Sequence, residues 1–201
     1  MFEWIQNLMT SMSYFGVVFL MFLENVFPPI PSELVMPLAG YLAGQKKLSL
    51  VGAIASGTFG SVLGSLPLYY VGKTLGEERI KDWAEKHGAW LAVSRDDIEK
   101  SKVWMDKHGH KAVLFCRLIP GVRSLISLPA GMSQMNIGKF LIYSTIGASL
   151  WTTILAYAGF RLGQNYKTVE KFMGPATYII IGAIVLAFVW RVVKQKRAQK
   201  T

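Results

Sequence analysis

The chain has 201 residues, 52% of them apolar, a mean hydropathy of +0.33 and only 17% charged residues. That balance is too apolar for an ordinary soluble domain and too charged for a chain lying wholly within a membrane. The net charge of +10 collects in clusters that flank apolar spans. Anionic lipid headgroups, rather than nucleic acid, are therefore the expected partner, and the single cysteine, Cys116, excludes an internal disulfide or a multi-cysteine metal site.

Residues 1–13 open on Met1-Phe-Glu-Trp-Ile, with no Lys or Arg ahead of the apolar stretch and no small-x-small cleavage site after it. They read as an interfacial helix with Trp4 at the headgroup level, not as a signal peptide. The apolar tract 14–44 is interrupted by Glu24 and then by Pro28, Pro29 and Pro31 ahead of Ser32 and Glu33. Proline removes a backbone donor and disfavours helix in the residue before it, so the tract must break there into two half-spans. Such broken hairpins persist in a membrane only where the freed backbone groups face protein or a wet cavity.

Leu48–Val71 follows as a full span of the roughly 20 apolar residues a bilayer requires. From Lys73 to Lys111, charge alternates with Ile80, Trp83, Trp90, Ile98, Val103 and Trp104, the pattern of one or two amphipathic helices lying on the cytoplasmic leaflet. His108 and His110 lack a third ligand nearby, so neither a metal nor a cofactor is expected. A second broken tract, 112–135, carries Arg117, Pro120, Gly121 and Arg123. Ile137–Leu162 is the next full span, and 164–201 holds an apolar anchor, Gly174–Val193, with a basic tail.

The two halves resemble each other. Residues 60–76 lie over 147–163 at an offset of 87, matching Gly60 with Gly147, Tyr70 with Tyr157, Gly72 with Gly159 and Gly76 with Gly163. Upstream, at an offset of 91, Pro29 lies over Pro120, and Ala39-Gly40 over Ala130-Gly131. Repeat one is 14–76 and repeat two is 112–163. Because a hairpin returns to its starting side and the next span crosses, the repeats must be inverted, an arrangement that places a site at their interface. The expected fold is an all-α integral membrane protein: two re-entrant hairpins, each followed by a transmembrane helix, with a further transmembrane helix at the C-terminus. Fifteen of the Lys and Arg residues fall on the face of the 73–111 loop and the C-terminus, and five on the other. The loop and C-terminus are thus expected in the cytoplasm.

Four ionisable residues fall at membrane depth: Glu24 and Glu33 on the first hairpin, Arg117 and Arg123 on the second. Each charge costs about 2.5–3.5 kcal/mol on insertion scales. Opposed across a pseudo-two-fold axis, they would offset one another and form a wet chamber. Ser32 and Ser124, beside the breaks, lie where helix starts would aim N–H groups inward, and the two guanidinium forks suit phosphate oxygens. A partly desolvated Glu24 or Glu33 could exchange a proton. The Gly60/Gly64 and Gly159/Gly163 pairs read as helix packing. Tyr70 and Tyr157 fit either the chamber or a membrane interface.

Phe22-Leu-Glu24-Asn-Val-Phe-Pro28-Pro29-Ile-Pro31-Ser32-Glu33 resembles the first signature of DedA-type membrane proteins, whose domain is also called VTT or SNARE-associated. Phe115-Cys-Arg117-Leu-Ile-Pro120-Gly121-Val-Arg123, followed by Pro129-Ala-Gly-Met132, resembles the second. The resemblance runs from about residue 14 to 163. It implies lipid flipping or scrambling in the bacterial cytoplasmic membrane linked to the proton gradient, with Glu24 and Glu33 as essential acids and Arg117 and Arg123 as essential arginines. The Pro-Pro-Ile-Pro-Ser-Glu form is closest to members associated with undecaprenyl phosphate. One departure is Ser65, where many members have an acid after the Gly-x-x-x-Gly of the first span; its absence leaves that span without a relay group.

The leading expectation is a flippase for undecaprenyl phosphate, coupled to protons. Two others stand beside it: a phosphatidylethanolamine or general phospholipid scramblase, and a proton-coupled exporter of small solutes. No nucleophile–base pair suggests an enzyme. The sequence leaves open whether the chain forms a homo-oligomer.

Overall fold

The computed structural model describes residues 2–26, 32–91, 95–120 and 122–162. Regular structure among them is entirely helical, in seven elements: α1 (Phe2–Val26), α2 (Ser32–Gly44), α3 (Leu50–Leu91), α4 (Arg95–His108), α5 (His110–Cys116), α6 (Ser127–Met132) and α7 (Ile137–Leu162). The expected breaks at Pro28, Pro29, Pro31 and Gly121, the anchor Gly174–Val193 and Gly163 lie outside the described residues, as do the side chains of Trp4 and Trp90.

α3 and α7 are long and apolar enough to cross a membrane. α7 spans the residues expected for it, about 39 Å at 1.5 Å per residue. Their outward faces carry apolar stripes at helical spacing: Val51, Phe59 and Leu63 on α3, and Ile142, Ile146, Leu150 and Ile154 on α7. A soluble protein rarely leaves such continuous apolar surface bare. In a bilayer these stripes meet acyl chains.

α1 bends at Ser13, whose φ is 52°. α3 runs past its apolar portion and bends at Gly76, with φ 73° and ψ 178°. That backbone region is almost closed to residues with a Cβ, while the space around Gly76 is open. Gly76→Ala should therefore cost about 1–3 kcal/mol through backbone strain alone, read as a lowered melting temperature of the detergent-solubilised protein; an unchanged melting temperature would remove the bend's dependence on glycine.

Beyond Gly76, α3 pairs with α4. Ile80 and Ile98 pack with Met132 and Leu128 of α6, and Met105 is also buried, whereas Trp83, Val103 and Trp104 are exposed. The expected apolar face thus divides between docking onto α6 and an outward surface. Charges surround the docked face. Lys81, only 7% exposed, meets Glu77 at 2.6 Å and Glu99 at 3.3 Å, and Lys102 meets Asp106 at 2.6 Å and Glu77 at 3.5 Å. The Lys81 ammonium hydrogen-bonded to Glu77 holds that carboxyl below its ordinary value. Lys102 does the same for Asp106, and both lysines are pushed upward in return.

The halves interlock. α2 packs on α7 and α6 on α3, each on the long helix of the other half of the sequence. The contacts are equivalent pair by pair. A Cβ on Gly40 would overlap the Ala156 carbonyl, and one on Gly159 the Pro37 carbonyl. In the other seam, a Cβ on Gly131 would overlap the Tyr69 carbonyl, and one on Gly72 the Leu128 carbonyl. Gly40 matches Gly131 and Pro37 matches Leu128 at the offset of 91; Gly159 matches Gly72 and Ala156 matches Tyr69 at the offset of 87. Both offsets read from the sequence are thus the register of two matching helix seams. Within the first half, Gly60 and Gly64 let α3 approach the Val18 and Phe22 carbonyls of α1.

Candidate functional site

The polypeptide between α5 and α6 places two arginines in the interior. Arg117 ends α5, with its backbone N–H donating to Val113 O. Residues 117–120 and 122–126 then run as turns rather than helix, with Arg123 N–H donating to Ile119 O and Ile126 N–H to Val122 O. The helix start expected at Arg123-Ser124 falls instead at Ser127. Pro120, within this run of turns, has no N–H to continue a helix.

Arg123 is 5% exposed and forms an ion pair with Glu24, itself 5% exposed, near the end of α1. Asn25 is adjacent; its Nδ2 donates to Met21 O at 2.9 Å and to Ser61 Oγ at 3.3 Å, which ties the end of α1 to α3. One acid and one base of the four expected at membrane depth therefore meet.

The other two do not. Glu33 lies half-buried in the first turn of α2 and makes no ion pair among the described residues. Arg117 is fully buried, and no described carboxylate lies within ion-pair distance of it. Its Nη2 donates a long hydrogen bond, 3.5 Å, to Ser127 Oγ, its guanidinium carbon lies 5.8 Å from the Phe140 ring centroid, and its Nε has no partner. A desolvated cation on an aromatic face gains about 2 kcal/mol, less than a buried charge costs. Among the described residues, Arg117 is therefore a buried positive charge with no counter-charge beside it.

Ser32 is buried at the start of α2 and accepts a hydrogen bond of 3.2 Å from Trp151 Nε1 of α7. Ser124 is partly buried. Tyr70 and Tyr157 are about half exposed, at 49% and 53%, and turn outward. Tyr69, next to Tyr70, is fully buried and stacked on Phe140 at 4.6 Å. Ser65 is buried, its hydroxyl donating to Val62 O at 2.6 Å of its own helix. The α3–α7 crossing carries a Thr58–Thr152 hydroxyl pair at 2.9 Å. Among the described residues no three His, Cys, Asp or Glu side chains gather as a metal-binding group.

Sequence reasoning missed Asn25, Ser127, Phe140, Ser144 and Trp151. Phe140, Ser144 and Trp151 belong to a helix read only as a span. Their signal was faint: polar residues at helical spacing on one face of α7, Ser144, Trp151 and Thr152, against an apolar remainder.

Outward apolar stripes, spanning-length helices and buried charge together define a helical membrane protein. The chain belongs to the VTT-domain family, whose model matches residues 30–161. It is 37% identical over 188 residues to a Lactococcus lactis protein named alkaline phosphatase-like protein, covering 93% of this chain and 88% of that one. It is 31% identical to undecaprenyl phosphate transporter A of Staphylococcus aureus, covering 92% of each chain. It is 30% identical to undecaprenyl phosphate transporter A of Bacillus subtilis, covering 94% of this chain and 92% of that protein. No solved structure matches the chain significantly.

Proposed function

We propose that this protein is a transporter, not an enzyme, that moves undecaprenyl phosphate between the leaflets of the bacterial cytoplasmic membrane. The observation that carries the reading is the buried, uncompensated guanidinium of Arg117, in a protein similar to two named undecaprenyl phosphate transporters. A cation kept at membrane depth without a counter-ion has a standing requirement for an anion. A monophosphate on a lipid tail meets it while the tail stays in the acyl phase. Arg117 takes the phosphate oxygens, Arg123 holds the neighbouring turns in place, Ser32 and Ser124 flank the path, and Glu33 exchanges protons as the headgroup enters and leaves.

In this reading α1–α2 and α5–α6 are inverted re-entrant hairpins, residues 14–163 form the transport domain, 1–13 lie at the interface and 164–201 add an anchor and basic tail. The α3–α4 extension and the C-terminus face the cytoplasm. The exchanged glycine seams support the two-fold relation.

The test is leaflet-resolved movement of polyprenyl phosphate against phosphatidylethanolamine in liposomes, with and without a proton gradient. Polyprenyl phosphate should move, faster with the gradient, and Arg123→Lys should abolish movement in folded protein. Equal movement of both lipids, indifferent to pH, would replace this reading with a scramblase. Release of inorganic phosphate from the lipid would replace it with a hydrolase, and protection of Glu33 from carbodiimide by a soluble cation with an exporter.

A further inference from the structure

We infer that the two arginines divide the work: Arg117, with the hydroxyls of Ser127 and Ser144, is the seat of the lipid phosphate, and Arg123 stays with Glu24 as a neutral pair that positions the seat. The inference rests on the transport reading above and deepens it.

Arg117 is hemmed in on one side by α7. Its guanidinium stands over Phe140, and its Cβ lies where a Cβ on Gly147 would come within 2.8 Å. Phe140, Ser144 and Gly147 follow one another at i, i+4 and i+7, a single helix face, so Ser144 stands between the two residues that touch the arginine. Ser144 is fully buried, and its Oγ has no hydrogen-bond partner. From the other side, fully buried Ser127 at the start of α6 accepts the long bond from Arg117 Nη2. The surroundings of Arg117 thus hold three groups: its own Nε–H and the Ser144 hydroxyl, both orphaned among the described residues, and the Ser127 hydroxyl at the limit of hydrogen-bond length. Buried polar atoms left unpaired are uncommon and call for a partner, and all three groups can donate to an oxyanion. Arg123 differs in kind, since its charge is already met by Glu24. A phosphate arriving there would have to displace a buried carboxylate. At Arg117 it displaces nothing.

The glycine at 147 fits the same account. It gives the arginine's stem room against α7, so the fork stays at one depth instead of reaching for an interface.

The experiment measures transport kinetics of polyprenyl phosphate in proteoliposomes for Ser144→Thr and Ser144→Val, which share a shape and differ only in the hydroxyl, and for Ser127→Ala, Arg117→Gln and the paired Glu24→Gln/Arg123→Gln. Binding of dodecyl phosphate to the detergent-solubilised protein is read alongside, with dodecanol as the uncharged control. Loss of one hydrogen bond to a charged group should raise the half-saturating lipid concentration about tenfold or more in Ser144→Val and Ser127→Ala, at near-normal maximal rate, while Ser144→Thr stays close to the wild type. Arg117→Gln should abolish dodecyl phosphate binding, and the Glu24/Arg123 double variant should retain it. Equal affinities in Ser144→Thr and Ser144→Val, or loss of binding in the double variant to match Arg117→Gln, would overturn the division of labour and leave phosphate transport standing. Failure of the wild-type protein to move polyprenyl phosphate at all would instead remove the transport reading.

Discussion

Glu24→Gln should destabilise the protein by about 3–5 kcal/mol, because it leaves the Arg123 guanidinium buried without a counter-charge. Set against a typical folding free energy of about 5–15 kcal/mol, that is a large share. The pair itself is not strong glue: desolvating both ions offsets most of their attraction, and apolar replacements of both are often neutral or stabilising. Glu24→Leu with Arg123→Met should therefore regain most of the lost melting temperature while transport stays absent. The contrast separates two roles. If the pair were only structural, the apolar double variant would transport; if it were irrelevant to folding, Glu24→Gln would melt with the wild type. Thermal melting in detergent, run beside the liposome assay, decides between them.

The second large effect is expected at the four seam glycines. Alanine at Gly40, Gly131, Gly72 or Gly159 drives a methyl group into a backbone carbonyl of the facing helix. A flexible side chain could swing aside; a carbonyl within a helix cannot, so the helices must part. The cost should sit at or above the upper end of the about 1–3 kcal/mol usual for overpacking. It should also match between partners, Gly40 with Gly131 and Gly72 with Gly159, since each pair occupies the same place in its seam. Gly138→Ala is the control, its new Cβ meeting only the Asn136 side chain at 3.1 Å. Melting temperatures and yields of monodisperse protein would show the pattern. Four unequal losses, or losses no greater than that of Gly138→Ala, would break the equivalence of the seams.

Much of the fold was legible because membrane helices write their limits plainly. A long, predominantly apolar run with a polar Gln134 and Asn136 before it leaves little choice for α7. α3 was legible only in its apolar part; nothing in composition said that the helix would bend at Gly76 and continue. The repeat announced itself through glycines, yet its two offsets did not say which glycine faces which carbonyl. That depends on how the arms cross, a tertiary matter. The site was half legible. Charge at membrane depth marked Glu24, Glu33, Arg117 and Arg123, and the interior does hold Glu24, Arg117 and Arg123. Which acid meets which base turns on side-chain direction across a gap that sequence spacing does not measure. Glu33 and Arg117 were therefore expected to share in a cancellation to which only Glu24 and Arg123 contribute. Ser127 and Ser144 carried no charge to draw attention.

The packing of α2 on α7 and of α6 on α3 has a consequence for how the chain is made. Residues 32–44 are synthesised early but find their main partner only in residues 137–162, so neither half can close its own core while the other is still on the ribosome. Contacts so distant along the chain form late and slowly. In the interval the nascent protein carries the unmated glycine surface of α2, which makes the emergence of α7 the step that commits it to its native form.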